Sequence, residues 1–232
     1  MASQMKKKDD FALTPVPRES IQHRIYVELR TALMTGAFVP GRPMPIQELA
    51  DSFGTSTMPV REALRRLVAE QALQIQRNRT VLVPLLTEER LQDLLKVRKV
   101  VEGSAVEWAA PNIDEDEIRT LEDLCGEISR SAEKGETRDY LIKNRTFRFM
   151  IYEKSGSPTL LPIIESLWLQ IGPFLNLMYF EGKLDSNIEY FEQLIAALRA
   201  GDAKEARAAL DRDMEVAAQF MLERMQVSRG DT

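Results

Sequence analysis

The stretch GTSTMPVREALRRLVAEQALQIQRNRTVLVPL, Gly54 to Leu85, decides the fold because its periodicity changes partway along. From Pro59 to about Glu70, Val60, Leu64 and Leu67 recur at helical spacing and predict a helix that also carries Arg61, Arg65 and Arg66. From residue 72 the pattern becomes two short β-type runs, LQIQ and TVLVP, separated by RNR. That predicts a hairpin with Arg77, Asn78 and Arg79 at its tip. Upstream, IQELADSFG reads as a short helix closed by Gly54. Before it, SIQHRIYVELRTALMTG places Ile21, Ile25, Leu29 and Leu33 on one helical face, with Ser20 as N-cap and Gly36 as stop. FVPGRPMP between the two reads as a turn. A helix, a helix-turn-helix and a basic hairpin make a winged helix, whose second turn-flanking helix suits a DNA major groove while the hairpin suits the backbone or a minor groove.

The chain has 232 residues, which suits about two domains, and a composition of 44% hydrophobic and 29% charged residues, that of an ordinary globular protein. Its net charge of −5 conceals an asymmetry. Residues 1–85 hold 12 Lys/Arg against 8 Asp/Glu, and the rest hold 19 against 28. A polyanion is therefore expected to meet the N-terminal part. Cys125 stands alone and reads as a small buried residue in a reducing cytoplasm. The first 19 residues read as a mobile tail, and no apolar run suits a signal peptide or a membrane span.

After Leu86 the sequence is helical nearly to its end, in about six segments at 87–110, 114–134, 136–154, 158–181, 185–200 and 202–226. Breaks fall at Pro111, Gly135, SGSP, Gly182 and Gly201. The fold expected is mostly α: a winged helix-turn-helix domain over 20–86, then an all-α bundle over 87–227 with room for an interior ligand cavity.

The segment PGRPMPIQELADSFGTSTMPVREALRRLVAEQAL resembles the DNA-binding domain of the GntR transcription regulators, above all in PVREAL at Pro59–Leu64, in register with Leu49, Ala50 and Gly54. The opening VRKVVEGSAVEWAA of the helical part is similar to that of the FCD effector domain of the FadR subgroup. The resemblance implies that Ser56, Thr57, Met58, Arg61, Arg65 and the tip residues Arg77, Asn78 and Arg79 face DNA. Chemistry agrees for the arginines, which can fork onto phosphates or guanine, and for Ser56, which can cap the helix and donate to phosphate. Arg65 and Arg66 point about 100° apart, so at most one is a close contact. The sequence departs from the family at Thr57, usually arginine, and at Gln71–Ala72 and Asn78, where glycine is common. Loss of that arginine implies an operator unlike those of close relatives.

Many FCD domains hold a divalent metal through an Asp-x-x-x-His pair and two later histidines. The resemblance puts those positions at Asn144, Arg148, Phe191 and Asp213, and the one histidine of the chain, His23, lies in the N-terminal part. Such a set has lost its imidazoles, so no metal and no cofactor are expected. Arg148 can supply the missing positive charge and grip a carboxylate, with Asp213 as its resting partner. Arg98 would be a second anion contact, Asn144 and Tyr190 hydrogen-bonding groups, and Phe191 and Trp168 apolar walls. The alternative is a buried structural ion pair in a vestigial cavity, and for Trp108 and Trp168 simple core packing.

Three functions compete: a homodimeric operator-binding regulator tuned by a small organic acid, a regulator whose helical part only dimerises, and an enzyme. One histidine, one cysteine, no phosphate-binding glycine loop and no nucleophile beside a base speak against the last.

Overall fold

The computed structural model describes residues 21–77, 79–180, 183–184 and 188–230. The tail, Ser20, Asn78 and Gly182 lie outside the described residues. The N-terminal part opens with helix α1 (Ile21–Met34), followed by α2 (Ile46–Ser52) and α3 (Thr57–Ala69). Ile25, Leu29 and Leu33 bury as expected, whereas Ile21 is 60% exposed at the open end of α1. α2 and α3 meet at a turn where Gly54 takes a φ of +62°, and the Thr55 N–H donates to Ala50 O at 3.0 Å. Val60, Ala63, Leu64 and Leu67 of α3 are buried against α1 and α2.

The hairpin forms from β1 (Gln74–Ile75) and β2 (Val81–Leu82), paired antiparallel with Ile75 opposite Val81. The segment expected to be only a turn does more. Gly41 N–H donates to Val83 O at 2.9 Å, Met44 N–H to Val81 O at 2.8 Å, and Val83 N–H to Arg42 O at 3.2 Å. Residues 41–44 thus form a third extended edge, the one place in a small sheet where Pro43 fits without leaving a ladder donor missing.

The C-terminal part consists of α4 (Glu88–Ala109), α5 (Glu115–Glu133), α6 (Thr137–Glu153), α7 (Leu160–Ile171), α8 (Ile188–Arg199) and α9 (Ala203–Gly230). Local chemistry sets several ends. The Thr87 hydroxyl accepts from Arg90 N–H at 3.2 Å, and Asp114 with Glu117 closes a capping box on α5. Gly135, Gly156 and Gly201 end helices with φ near +67° (+69°, +66° and +67°). α4 packs along α9, α9 also holds α8, and α5 holds α6.

The helix expected over 158–181 stops at Ile171 and continues as a 3₁₀ segment, Gly172–Met178. Pro173 lacks the N–H that would bond back into α7. A two-strand pairing follows, β3 (Tyr179–Phe180), where helix had been expected, with β4 (Lys183–Leu184), in the break expected before the next helix. Trp108 is a second correction: it is 51% exposed, on the outer face of α4 with Val97 and Val100. Trp168 is buried as expected. Among the described residues no helix is long and apolar enough to cross a membrane.

The two parts touch. Arg30 of α1 pairs with Glu165 of α7 at 2.6 Å, and a Cβ built on Gly172 would lie 2.3 Å from the Leu33 carbonyl oxygen, so only glycine lets the end of α7 meet the end of α1.

Gln71 follows the C-cap of α3 with a φ of +60°; its N–H donates to Val68 O and that of Ala72 to Leu67 O, both at 3.0 Å. This is the left-handed closure that glycine serves best. Gln71→Gly should therefore raise the unfolding free energy by about 0.5–1 kcal/mol, the relief of left-handed strain exceeding the entropy glycine adds to the unfolded chain. Urea denaturation followed by circular dichroism checks this.

Candidate functional site

Two regions bring the sequence-derived residues together. The first is the outer face of α3. Ser56 occupies the N-cap in extended conformation, but its hydroxyl makes no capping bond, so the expected double role reduces to an exposed hydroxyl at the helix start. Thr57 is half-buried, Met58 is exposed, and Arg61 and Arg65 follow on the outward side. Arg61, Arg65 and Arg79 line one cleft with Ile46, Leu64, Val68, Ile75 and Val81, so the helix and the wing present their charges side by side. Arg65 is held by Glu62 at 2.6 Å, whereas Arg61, Arg77 and Arg79 are exposed and form no ion pair among the described residues.

Arg66 is turned the other way. Its guanidinium lies 3.6 Å from the Tyr26 ring centroid and pairs with Glu70 at 3.1 Å, while the Tyr26 hydroxyl donates to Glu70 at 2.8 Å. Of the adjacent pair, Arg66 braces α3 on α1 and Arg65 stands beside Arg61. The wing tip is tight: Arg79 has a φ of +65°, its N–H donates to Gln76 O at 2.9 Å, and Gln76 N–H donates to Thr80 O at 2.9 Å.

The second region is a cavity of about 40 Å³ within the bundle, lined by Leu91, Leu95 and Arg98 of α4, Asn144 and Arg148 of α6, Trp168 and Ile171 of α7, Leu175, and Asp213, Met214 and Met221 of α9, among others. The four positions that the resemblance ties to a metal do converge. Arg148 Nη2 donates to the Asp213 carboxylate, its Nε donates to Asn144 Oδ1 at 3.4 Å, and its guanidinium lies 5.2 Å from the Phe191 ring centroid. A divalent metal does not fit this set: at its centre stands a cation, and only Asp213 offers a carboxylate. Burial opposes the charge on Arg148, but Asp213, Tyr152 and Glu102 together outweigh it and raise the guanidinium above its usual range. Its Nη1 is buried and lacks a hydrogen-bond partner.

Arg98 departs from expectation. Instead of a free second anion contact, it is engaged by Glu102, which accepts from Nε at 2.5 Å and Nη2 at 3.3 Å. Glu102 is fully buried and accepts also from the Tyr152 hydroxyl at 2.5 Å and from Trp168 Nε1 at 3.2 Å. Burial and then the Glu102 charge push the Tyr152 hydroxyl well up, so it remains a donor. Trp168 lines the cavity as expected. Phe191 does not line it; it packs edge-on to Phe147 at 5.0 Å and supports Arg148 from behind. Tyr190 is half-buried and also off the cavity, one residue and therefore about 100° around α8 from Phe191.

Glu102 and Tyr152 escaped the sequence reading although their spacing held a signal. Glu102 follows Arg98 by four residues, and Asn144, Arg148 and Tyr152 recur every four along α6, so each set shares a helical face.

Comparison with known proteins fits both regions. Residues 21–83 match the pattern described as bacterial regulatory proteins, gntR family, and residues 93–216 match the FCD domain. The chain is 33% identical over 199 residues to the HTH-type transcriptional regulator McbR of Escherichia coli K12, covering 84% of this chain and 90% of that one. It superposes on the solved structure of E. coli McbR/YncC with a TM-score of 0.83 and 30% identity, covering 90% of this chain and all (100%) of the other. It is 30% identical over 172 residues to a probable D-xylose utilization operon transcriptional repressor of Paenarthrobacter nicotinovorans, covering 73% and 75% of the two chains. It is 25% identical over 179 residues to the gluconate operon transcriptional repressor of Bacillus licheniformis, covering 77% and 72%. The chain belongs to the gntR family of bacterial regulatory proteins, with a winged helix-turn-helix followed by an FCD domain, and is a transcriptional regulator rather than an enzyme.

Proposed function

We propose that this regulator binds operator DNA as a cytoplasmic homodimer through residues 20–86, and that a small carboxylate-bearing metabolite held at Arg148 within residues 87–227 sets its affinity. For DNA, the supporting observation is the shared cleft of Arg61, Arg65 and Arg79, with Arg77 at the wing tip. Ser56, Thr57 and Met58 lead into the groove, and Asn78, between Arg77 and Arg79 in the sequence, is assigned to the DNA contact with them. Two winged helices related by a twofold axis read two half-sites, and the acidic FCD part carries the dimer contact away from the DNA.

For the effector, the observation that carries the reading is the buried, unpartnered Nη1 of Arg148. A buried guanidinium nitrogen without a partner is costly and is relieved by an anion. An occupant of the cavity would press on Trp168, Ile171 and Leu175, the stretch that carries Glu165 and Gly172 against α1. Filling the cavity thus bears on the DNA-binding part without a long relay. A second reading, in which the FCD part serves dimerisation alone, is favoured by the small cavity and by the existing Arg148–Asp213 pair.

Arg61→Ala should weaken binding to an in vitro selected operator fragment by one to two orders of magnitude, about the worth of one bidentate base contact, while leaving the circular dichroism spectrum and the oligomer unchanged. Wild-type affinity should also fall steeply and log-linearly between about 50 and 200 mM salt, as expected of four arginines displacing counterions. Mobility shift and fluorescence anisotropy measure both. Full operator affinity in Arg61→Ala would show that α3 is not the reading helix.

Elemental analysis of the purified protein should find no stoichiometric zinc, nickel or manganese, and EDTA should leave its melting temperature unchanged. One tightly bound metal per chain would overturn the assignment of Arg148 as the resident cation.

A further inference from the structure

We infer that the cavity selects a short aliphatic monocarboxylate and discriminates against dicarboxylates and sugar acids; this rests on the reading of Arg148 as an anion site. The first step is a charge count among the described lining residues and their partners. Arg98 is answered by Glu102, and Arg148 by Asp213. Glu102 is itself saturated by Arg98, Tyr152 and Trp168. What remains is one unmet buried donor, Nη1 of Arg148. One carboxylate finds a partner there; a second would enter a cavity whose other arginine is already engaged, at the cost of an unpaired buried charge.

The second step concerns the body of the ligand. Leu91, Leu95, Ile171, Leu175, Met214 and Met221, together with Ala217 and Ala218, form the greater part of the wall, and none of their side chains donates or accepts conventional hydrogen bonds. A polyol chain would lose its water and regain little, whereas methyl and methylene groups gain from the same surface. Size is the third step. A volume of about 40 Å³ corresponds to roughly three water positions, so a carboxylate with a very short tail fits first and longer tails must displace the flexible Met214 and Met221.

Asp213 sets the affinity. Its side chain retains 14% of its exposure and occupies Nη2, so an entering carboxylate competes with it for the guanidinium. Asp213→Asn, which removes the competing charge and keeps the shape, should tighten the ligand.

Isothermal titration of the full-length protein with acetate, propionate, butyrate, hexanoate, succinate, gluconate and propionamide decides the matter. Acetate or propionate should bind saturably, with butyrate and hexanoate progressively weaker and succinate, gluconate and propionamide at least about tenfold weaker. Arg148→Ala should abolish the binding and Asp213→Asn should strengthen it. Because removing a buried arginine risks the fold, Ala218→Leu is the second variant: it adds bulk to the cavity wall, leaves the charges in place, and should also abolish binding. If succinate or gluconate binds more tightly than every monocarboxylate, and does so only with Arg148 present, the selectivity is wrong while the anion site stands. If no carboxylate binds, or binding survives in Arg148→Ala, the anion site itself falls and the ion pair is structural.

Discussion

Two ion pairs, Arg98 with Glu102 and Arg148 with Asp213, lie within the helical bundle, and the packing around them is shaped by the need to satisfy each partner. Arg98 and Glu102 come from one helix, Arg148 from a second and Asp213 from a third. Carrying such groups out of water costs several kcal/mol apiece unless hydrogen bonds replace the lost hydration, and removing one partner strands the other. Glu102 meets that demand in full: its two oxygens receive four donors from α4, α6 and α7. The carboxylate therefore ties three helices at one point, and it fixes the Trp168 indole by its N–H. Arg148 meets the demand only in part, since one of its nitrogens has no partner. The contrast between a saturated cluster and an unsaturated one, in one cavity, is what separates structural charge from available charge.

The same helix that contributes Trp168 to the cluster leads to the DNA-binding part. α7 carries Glu165, paired with Arg30, and ends at Gly172, which admits the Leu33 backbone closer than any side chain would allow. Arg145 stacks on Phe149 at 4.5 Å near this seam, and burial, with Arg30 reinforcing it, holds it below the usual arginine range. Polar pairing and backbone contact thus lock α1 to α7, while Arg66 on Tyr26 locks α3 to α1. The helix that carries the outward arginines is two packed contacts from the cavity wall. Close-packed interiors transmit displacement because they have no slack to absorb it.

Much of this was legible in the sequence because the relevant signals are local. The change from period 3.6 to period 2 after Gln71 marked helix and hairpin, and glycines marked helix ends at Gly135 and Gly201. What was not legible depended on partners distant in the chain. The edge strand at 41–44 is made by bonds to Val81 and Val83, and PGRPM alone reads as a turn. The break after Ile171 needed the approach of α1 as well as Pro173. Trp108 and Ile21 show the limit of hydrophobicity as a burial signal, since both fall on helix faces that meet no other part of the described chain closely enough to be covered. Positions 144, 148 and 213 came together at the cavity, with Phe191 behind Arg148 and off the wall, but the state of each charge did not follow from position. Arg98 was expected free and is held by a glutamate one turn along its own helix.

Compared with the divalent metal that the resemblance ties to these positions, a guanidinium keeps the positive charge but changes what it can recognise. A divalent ion accepts lone pairs from any direction its geometry leaves open, so it rewards a ligand that brings a hydroxyl beside its carboxylate and chelates. A guanidinium offers only N–H donors, in one plane, and nothing it holds can be chelated. Here that plane is further restricted, because Nη2 faces Asp213 and Nε faces Asn144. A hydroxyl group next to a bound carboxylate would therefore find no Lewis acid to chelate, only the Asn144 and Asp213 side chains that already engage the guanidinium and, beyond them, hydrocarbon. With Asn, Arg and Phe at three of the four positions that the resemblance ties to a metal, the proposed site therefore keeps a donor for an anion, in one nitrogen, and lacks the Lewis acid that would reward a chelating hydroxy acid.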